Sequence, residues 1–248
     1  FFTVCVIKRC SKIVFIQFSI FFVIKIGLKV VAVFLPYNQM AVKYENLKKC
    51  PILYPFYVVK RFDRTTKNGI TRRLHQEDFC QLLNVPPHLK YEEDGGPGVK
   101  DCLQCMSDMH ISAMSRLMFL RLLIFNFLIG NCDAHAKNYA VLYNNGVPSF
   151  APAYDLLCTM VYETMSRCFA MSVGGESRMG MLKKEHFSAM AEECGLNPKM
   201  VLAELDSMAA KLPDIADKLD RELNAVHPST VYGSIAWQVK HLCLQVAE

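Results

Sequence analysis

Residues 115–129, SRLMFLRLLIFNFLI, constrain this chain more than any other stretch. They are apolar nearly all round, and a helix with no polar face belongs in the middle of a fold rather than on its surface. Gly130 follows at the position of a left-handed helix cap. The chain therefore predicts a buried central helix, with whatever comes next delivered from a rigid support.

What comes next is Gly130-Asn131-Cys132-Asp133-Ala134-His135-Ala136-Lys137-Asn138. Tyr139–Tyr143 and Val147–Phe150 then read as two strands about an Asn144-Asn145-Gly146 turn, and Asp155 lies beyond them. An isolated Asp-to-Asn pair at this interval is common and usually marks a turn. Here it lies between a buried helix and a hairpin that leads to a second carboxylate. That order matches the wiring of phosphoryl transfer, which needs positioning, charge neutralisation and a proton acceptor. Asp133 is the candidate base. Asn138 offers an uncharged amide oxygen and Asp155 an anionic one, a hard-oxygen set suited to Mg²⁺ once phosphates complete its shell. The interval equals that of the H-R-D-x-x-x-x-N loop of protein kinases, where a hairpin likewise separates the loop from a metal-binding Asp. His135 can bond a nucleotide phosphate or ribose, or simply order the loop. Lys137 can meet phosphate or solvent.

The rest of the chain reads as α+β. Phe56–Phe62 is a strand by its β-branched and aromatic content, Asp63–Gly69 a turn, and Gln76–Leu83 a short helix closed by Asn84 and Pro86-Pro87. After Asp155 the pattern is helical, over residues 185–194, 198–212, 214–223 and 230–246.

Composition narrows the function classes. The net charge of +5 is confined to residues 1–60, which carry nine Lys/Arg against the single acid Glu45. The remainder holds nineteen Lys/Arg and twenty-two Asp/Glu, so no broad nucleic-acid footprint is expected. Eleven cysteines cannot all pair internally, and many lie in apolar runs, which fits buried thiols in a reducing compartment and predicts a cytoplasmic protein. Cys102 and Cys105 form a lone C-x-x-C without the second pair that zinc requires. Residues 1–35 are rich in Phe, Ile and Val, but their longest uncharged run, Ile13–Ile24, is shorter than the roughly 20 residues of a membrane span, so no membrane association is expected.

Several segments together resemble the HipA-like serine/threonine kinases of bacterial toxin–antitoxin modules: VKRFDR (Val59–Arg64), RLHQEDFCQ (Arg73–Gln81), KYEEDGGPG (Lys90–Gly98), IGNCDAHAKN (Ile129–Asn138) and APAYDLLCT (Ala151–Thr159). The resemblance runs from about Phe56 to the C-terminus. It implies a protein-kinase-like fold, ATP with Mg²⁺, and phosphorylation of a protein serine or threonine. Under it Asp133 falls on the catalytic Asp, and Asn138 and Asp155 on the metal-binding positions. His135, Ala136, Lys137, Asn138, Tyr154 and Asp155 match positions at the nucleotide phosphates. Lys60, Arg61 and Phe62 match the segment between lobes whose backbone reads adenine, with Lys60 where the best-studied members have Glu. Those members act on an aminoacyl-tRNA synthetase and are held by a helix-turn-helix antitoxin, which the resemblance extends here as expected partners.

The resemblance departs upstream. Lys25, in Val23-Ile24-Lys25, lies too close to Arg61 for the family's phosphate-steadying lysine, and no phosphate loop precedes it. The expected organisation is an apolar leader over 1–35, a remnant of the N-terminal lobe and hinge over 36–62, and a kinase domain over 63–248. A second function class follows: a catalytically silent fragment, or a binding module that engages the antitoxin without phosphoryl transfer. A small-molecule phosphotransferase is the third, disfavoured by the RFDR and QEDFCQ resemblance.

Overall fold

The computed structural model describes residues 2–6, 56–226 and 228–247. Apart from Phe2–Val6, the leader lies outside the described residues, as do Lys25 and the remnant lobe before Phe56. The architecture is α+β, with every described strand lying before Met179 and four α-helices following from Lys184.

Helix α3 (Ala113–Leu128) is the expected centre. Phe119, Leu120, Leu122, Leu123, Ile124 and Phe127 are all essentially inaccessible, so consecutive residues rather than one stripe are buried. Ser112 caps its start by accepting the Ser115 amide. At its end Gly130 adopts φ +73, the Gly130 amide bonds Phe127 O and the Asn131 amide bonds Asn126 O. This Schellman closure turns the chain sharply out of the helix. A β-carbon on Gly130 would also press on Met160 at 3.2 Å.

Before it come strands β1 (Phe2–Val6) and β2 (Phe56–Lys60), an antiparallel pair, then hairpin β3 (Arg64–Lys67) and β4 (Ile70–Arg73), strand β5 (His75–Asp78), and helices α1 (Phe79–Leu82) and α2 (Val99–Asp108). The turn expected over Asp63–Gly69 contracts to Asn68-Gly69. Both take left-handed φ, which closes a two-residue turn and frees Arg64–Lys67 to pair. The helix expected over Gln76–Leu83 begins only at Phe79. Asp78 accepts the Gln81 amide while the Gln81 side chain accepts the Asp78 amide, so Asp78 is a cap, and the residues before it join a sheet.

That sheet runs β5–β6–β7, with β6 (Ala140–Asn144) and β7 (Val147–Phe150) forming the expected hairpin. Asn145 and Gly146 both lie at positive φ in its turn. Beyond Asp155 a second hairpin, β8 (Cys168–Val173) and β9 (Glu176–Arg178), interrupts the region expected to be wholly helical. Helices α4 (Lys184–Glu193), α5 (Pro198–Ala209), α6 (Leu212–Val226) and α7 (Thr230–Gln245) follow. Arg121 of α3 donates twice to Glu204 of α5, at 2.9 and 2.8 Å, fixing the central helix to this bundle. Among the described residues no helix is long and apolar enough to cross a membrane.

Candidate active site

The loop leaving α3 is held from behind by a polar ladder within the apolar core. Asn126 donates to the Tyr139 hydroxyl at 3.1 Å, and Asn131 Nδ2 reaches both Asn126 Oδ1 at 3.0 Å and the Asp155 carbonyl at 3.2 Å. Asn126 and Asn131 are almost fully buried, so losing one of these bonds would cost about 1–3 kcal/mol, and Asn131 Oδ1 itself has no partner among the described residues. The Cys132 amide donates to Thr159 Oγ1, which donates to the Gly130 carbonyl. Helix end, the loop after it and the segment after the hairpin are thus joined before any candidate site residue is placed.

Asp133 projects from this loop with its side chain 32% exposed. The Tyr91 hydroxyl donates to its Oδ1 at 2.6 Å. Burial and the facing carboxylate push the Tyr91 phenol well above its ordinary range, so it stays a donor. Lys90 Nζ lies 4.8 Å from the centre of the Tyr91 ring and the His135 ring meets it edge-on at 5.2 Å. Gly96 makes room for the bend around Tyr91, since a β-carbon there would stand 2.2 Å from the Leu89 carbonyl oxygen.

His135 is buried, and burial lowers its pKa against the pull of Asp133. A neutral imidazole 4.0 Å from Asp133 Oδ1 is a neighbour rather than an ion pair. Its main-chain N–H donates to Asn138 Oδ1 at 3.1 Å, and the Asn138 side chain donates in turn to Asp155 Oδ2. Asp133 carbonyl, His135, Ala136 and Asn138 make one tight turn: the His135 amide bonds Asp133 O, the Asn138 amide bonds His135 O, and the Ala136 amide bonds Lys90 O.

Asp155 adopts φ +57, an uncommon conformation for a residue with a β-carbon and one that clusters at functional sites. Its residue surface is open to solvent, while packed atoms crowd the carboxylate from the protein side. That desolvation raises its pKa above the ordinary carboxylate value, with the Asn138 bond opposing and Asp133 adding to it.

Lys137 donates to Asp78 at 2.8 Å, so its ammonium is engaged by the α1 cap. Tyr154 donates to the Lys137 carbonyl at 2.7 Å and stacks on Phe62 with ring centres 6.1 Å apart, connecting the segment after β2 to the loop. Arg61 is turned onto Asp63, which also holds Arg64, while Lys60 enters only as the last residue of β2. The structure therefore gathers Asp133, His135, Ala136, Asn138, Tyr154 and Asp155 in one region, brings Phe62 against it through Tyr154, and directs the Arg61 and Lys137 side chains to carboxylates. Sequence reading missed Tyr91 and Lys90, which lay inside a quoted motif without an assigned role, and the Asn126–Asn131 ladder. An asparagine in an otherwise apolar helix was the available signal for the ladder.

Asn138 and Asp155 match a hard divalent cation in donor type, an amide oxygen and a carboxylate, with the Asn138 nitrogen facing Asp155 here and its oxygen accepting the His135 N–H. Among the described residues there is no group of three His, Cys, Asp or Glu that could hold a metal by itself, so phosphate oxygens would have to complete the shell.

A loop, a hairpin and a carboxylate after a buried helix have the order of a kinase-like fold. The same fold appears in the solved complex of Shewanella oneidensis HipA with HipB and operator DNA, with a TM-score of 0.71 over 92% of this chain and 54% of that one, at 21% identity. The chain belongs to the HipA-like C-terminal domain family, whose sequence model matches residues 25–216, starting upstream of the Phe56 boundary drawn from motifs. It is similar to the kinase-named protein Y4mE of Sinorhizobium fredii, at 34% identity over 201 residues, covering 77% of this chain and 47% of that protein. It is also similar to the serine/threonine-protein kinase toxin HipA of Shewanella oneidensis, at 29% over 173 residues, covering 64% and 40%. The chain spans about half the length of the curated relatives it matches.

Proposed function

We propose that this chain carries the catalytic portion of a protein serine/threonine kinase that uses ATP with Mg²⁺. The observation that carries the reading is the joint placement of Asp133, Asn138 and Asp155 on one braced loop system, with Asp155 held at a strained backbone angle by Asn131 and Asn138. Asp133 Oδ2 accepts the proton of an acceptor hydroxyl while Tyr91 holds Oδ1. The acceptor oxygen bonds the γ-phosphorus as the bond to the β–γ bridging oxygen breaks, and ADP leaves with that electron pair. Mg²⁺, when bound, neutralises phosphate charge, and Asn138 and Asp155 are the residues that would hold it. His135 and Ala136 shape the loop beneath the phosphates, Tyr154 and Phe62 fix the wall toward the hinge, and the backbone of Lys60, Arg61 and Phe62 reads the adenine.

The site and partner assignments follow the family. The protein acceptor is of the aminoacyl-tRNA synthetase class, the regulator is a helix-turn-helix antitoxin as HipB is to HipA in the similar solved complex, and the setting is the cytoplasm. The competing reading, a binding module without transfer, is favoured by one observation: Lys137 is tied to Asp78 and is not presented to phosphate. Isothermal calorimetry of ATP with Mg²⁺ separates the two. Measurable Mg²⁺-dependent binding supports the kinase, and no heat of binding supports the silent module.

A further inference from the structure

A hollow of about 560 Å³ lies where the segment from Met160 to Arg167 meets the first half of α7. Its volume falls within the roughly 300–1,000 Å³ of small-molecule sites. None of the residues assigned above to base, metal or nucleotide lines it. What lines it is a set of groups that the fold leaves unused.

Trp237, the only tryptophan of the chain, is 58% exposed. The His241 ring lies parallel to it, 5.2 Å away and tilted by 4°, which steadies the indole plane at the edge of the hollow. Beside it, Gln238 has a buried carbonyl oxygen that meets no donor among the described residues. Buried acceptors are nearly always paired, so this one calls for a donor. The residue as a whole is only partly covered, and a turn about its soft terminal torsion presents that oxygen to the hollow. The other wall carries Glu163 and Arg167, both exposed. One Arg167 nitrogen donates to the Met160 carbonyl, which anchors the guanidinium there. Neither charge is in an ion pair, with the other or with any further described residue.

Opposite charges that face one hollow without neutralising each other complement a molecule that carries both. Glu163 and the Gln238 oxygen suit an ammonium, and the remaining Arg167 donors suit a carboxylate. The Trp237 ring suits an apolar side chain. A phosphate would meet Glu163, and a plain cation would meet Arg167, like against like. We infer that this hollow binds a small zwitterion of the amino-acid class with a large apolar side chain, and that its occupancy steadies the loop bearing Asp133. The link is short: the Met160 amide donates to the Gly130 carbonyl at 3.2 Å, and Thr159 Oγ1 accepts the Cys132 amide at 2.8 Å. The inference does not rest on the kinase reading.

Three compounds test it on the whole 248-residue chain: L-phenylalanine, its N-acetyl derivative without the ammonium, and its amide without the carboxylate. Emission from the single tryptophan reports on the hollow directly, and calorimetry gives the affinities. L-Phenylalanine should change that emission saturably and bind at least about tenfold more tightly than either derivative. Glu163→Gln should erase the preference over the N-acetyl form and keep the preference over the amide. Arg167→Gln should do the reverse. Thermal unfolding verifies that both variants fold, and the three compounds on the wild type serve as the test if one does not. Amide exchange over Asn131–Asp133 should slow when L-phenylalanine is bound. A wild type that gives neither an emission change nor heat with L-phenylalanine, equal affinity for the three compounds, or preferences that survive both substitutions overturns the inference. Binding with unchanged exchange overturns the link to the loop.

Discussion

The two carboxylates of the cleft both reach solvent but are tethered in different ways. Asp133 is a third exposed and is steadied by one phenol. Asp155 sits at positive φ, with its carbonyl tethered to a buried asparagine and its carboxylate to another amide. The difference matches the work that the proposed function gives to each. A base must admit a substrate hydroxyl and exchange a proton, so it needs an open oxygen. A metal ligand must hold one direction against the pull of a cation, so its support reaches into the core through Asn131, Asn126 and Tyr139.

The sharpest way to break this contrast is Asp133→Asn. Phosphoryl transfer should fall about 10²–10⁴-fold while Mg²⁺–ATP affinity stays near wild type. Equal transfer rates in a labelled-phosphate assay would remove Asp133 from the role of base. Next in size is Asn131→Ala, which strips the tether of Asp155 and leaves Asn126 Oδ1 unpaired. Mg²⁺-dependent nucleotide affinity should drop about 10–100-fold, as for other supports of metal ligands. Denaturant unfolding should show a loss of about 1–3 kcal/mol. An unchanged unfolding midpoint would show that the ladder does not brace the site. On the open side, Tyr91→Phe should lower transfer about tenfold through its one charge-assisted bond, with stability nearly untouched.

A carboxylate outside the cleft calibrates the comparison. Asp63 is buried against Arg61 and Arg64, and the Arg61 guanidinium holds its pKa below the ordinary value. A depressed folded pKa stabilises above the unfolded carboxylate's titration and loses that contribution as pH falls through the folded value. Asp63→Asn should therefore destabilise the protein at neutral pH by about 1–3 kcal/mol, and the gap should shrink on acidification. A gap constant from neutral pH to acid would show that the arginine contacts do not set this carboxyl's charge.

Much of this was legible before any coordinates. The all-round apolarity of residues 115–129 allowed only a buried helix, and Gly130 and Asn145-Gly146 marked the places where the backbone turns left-handed. Where local signals compete, reading failed. Arg64–Lys67 has turn-like composition but is claimed by pairing with Ile70–Arg73, and Gln76–Asp78 looks helical but is drawn into the sheet by β6. The β8–β9 hairpin has no alternation strong enough to announce it, and a Gly174-Gly175 turn was its only mark. Spacing singled out Asp133, Asn138 and Asp155, which the fold brings onto one loop system. Tyr91 could not be found that way, because its bond to Asp133 spans 42 residues and exists only once the fold closes.

The central claim is that Asn138 and Asp155 meet a magnesium–triphosphate beside Asp133. Calorimetric titration of ATP into the wild type and into Asp155→Ala, each with and without Mg²⁺, tests it most directly. The account predicts that Mg²⁺ tightens binding to the wild type and has little effect on the variant. Equal Mg²⁺ enhancement in both proteins would contradict it.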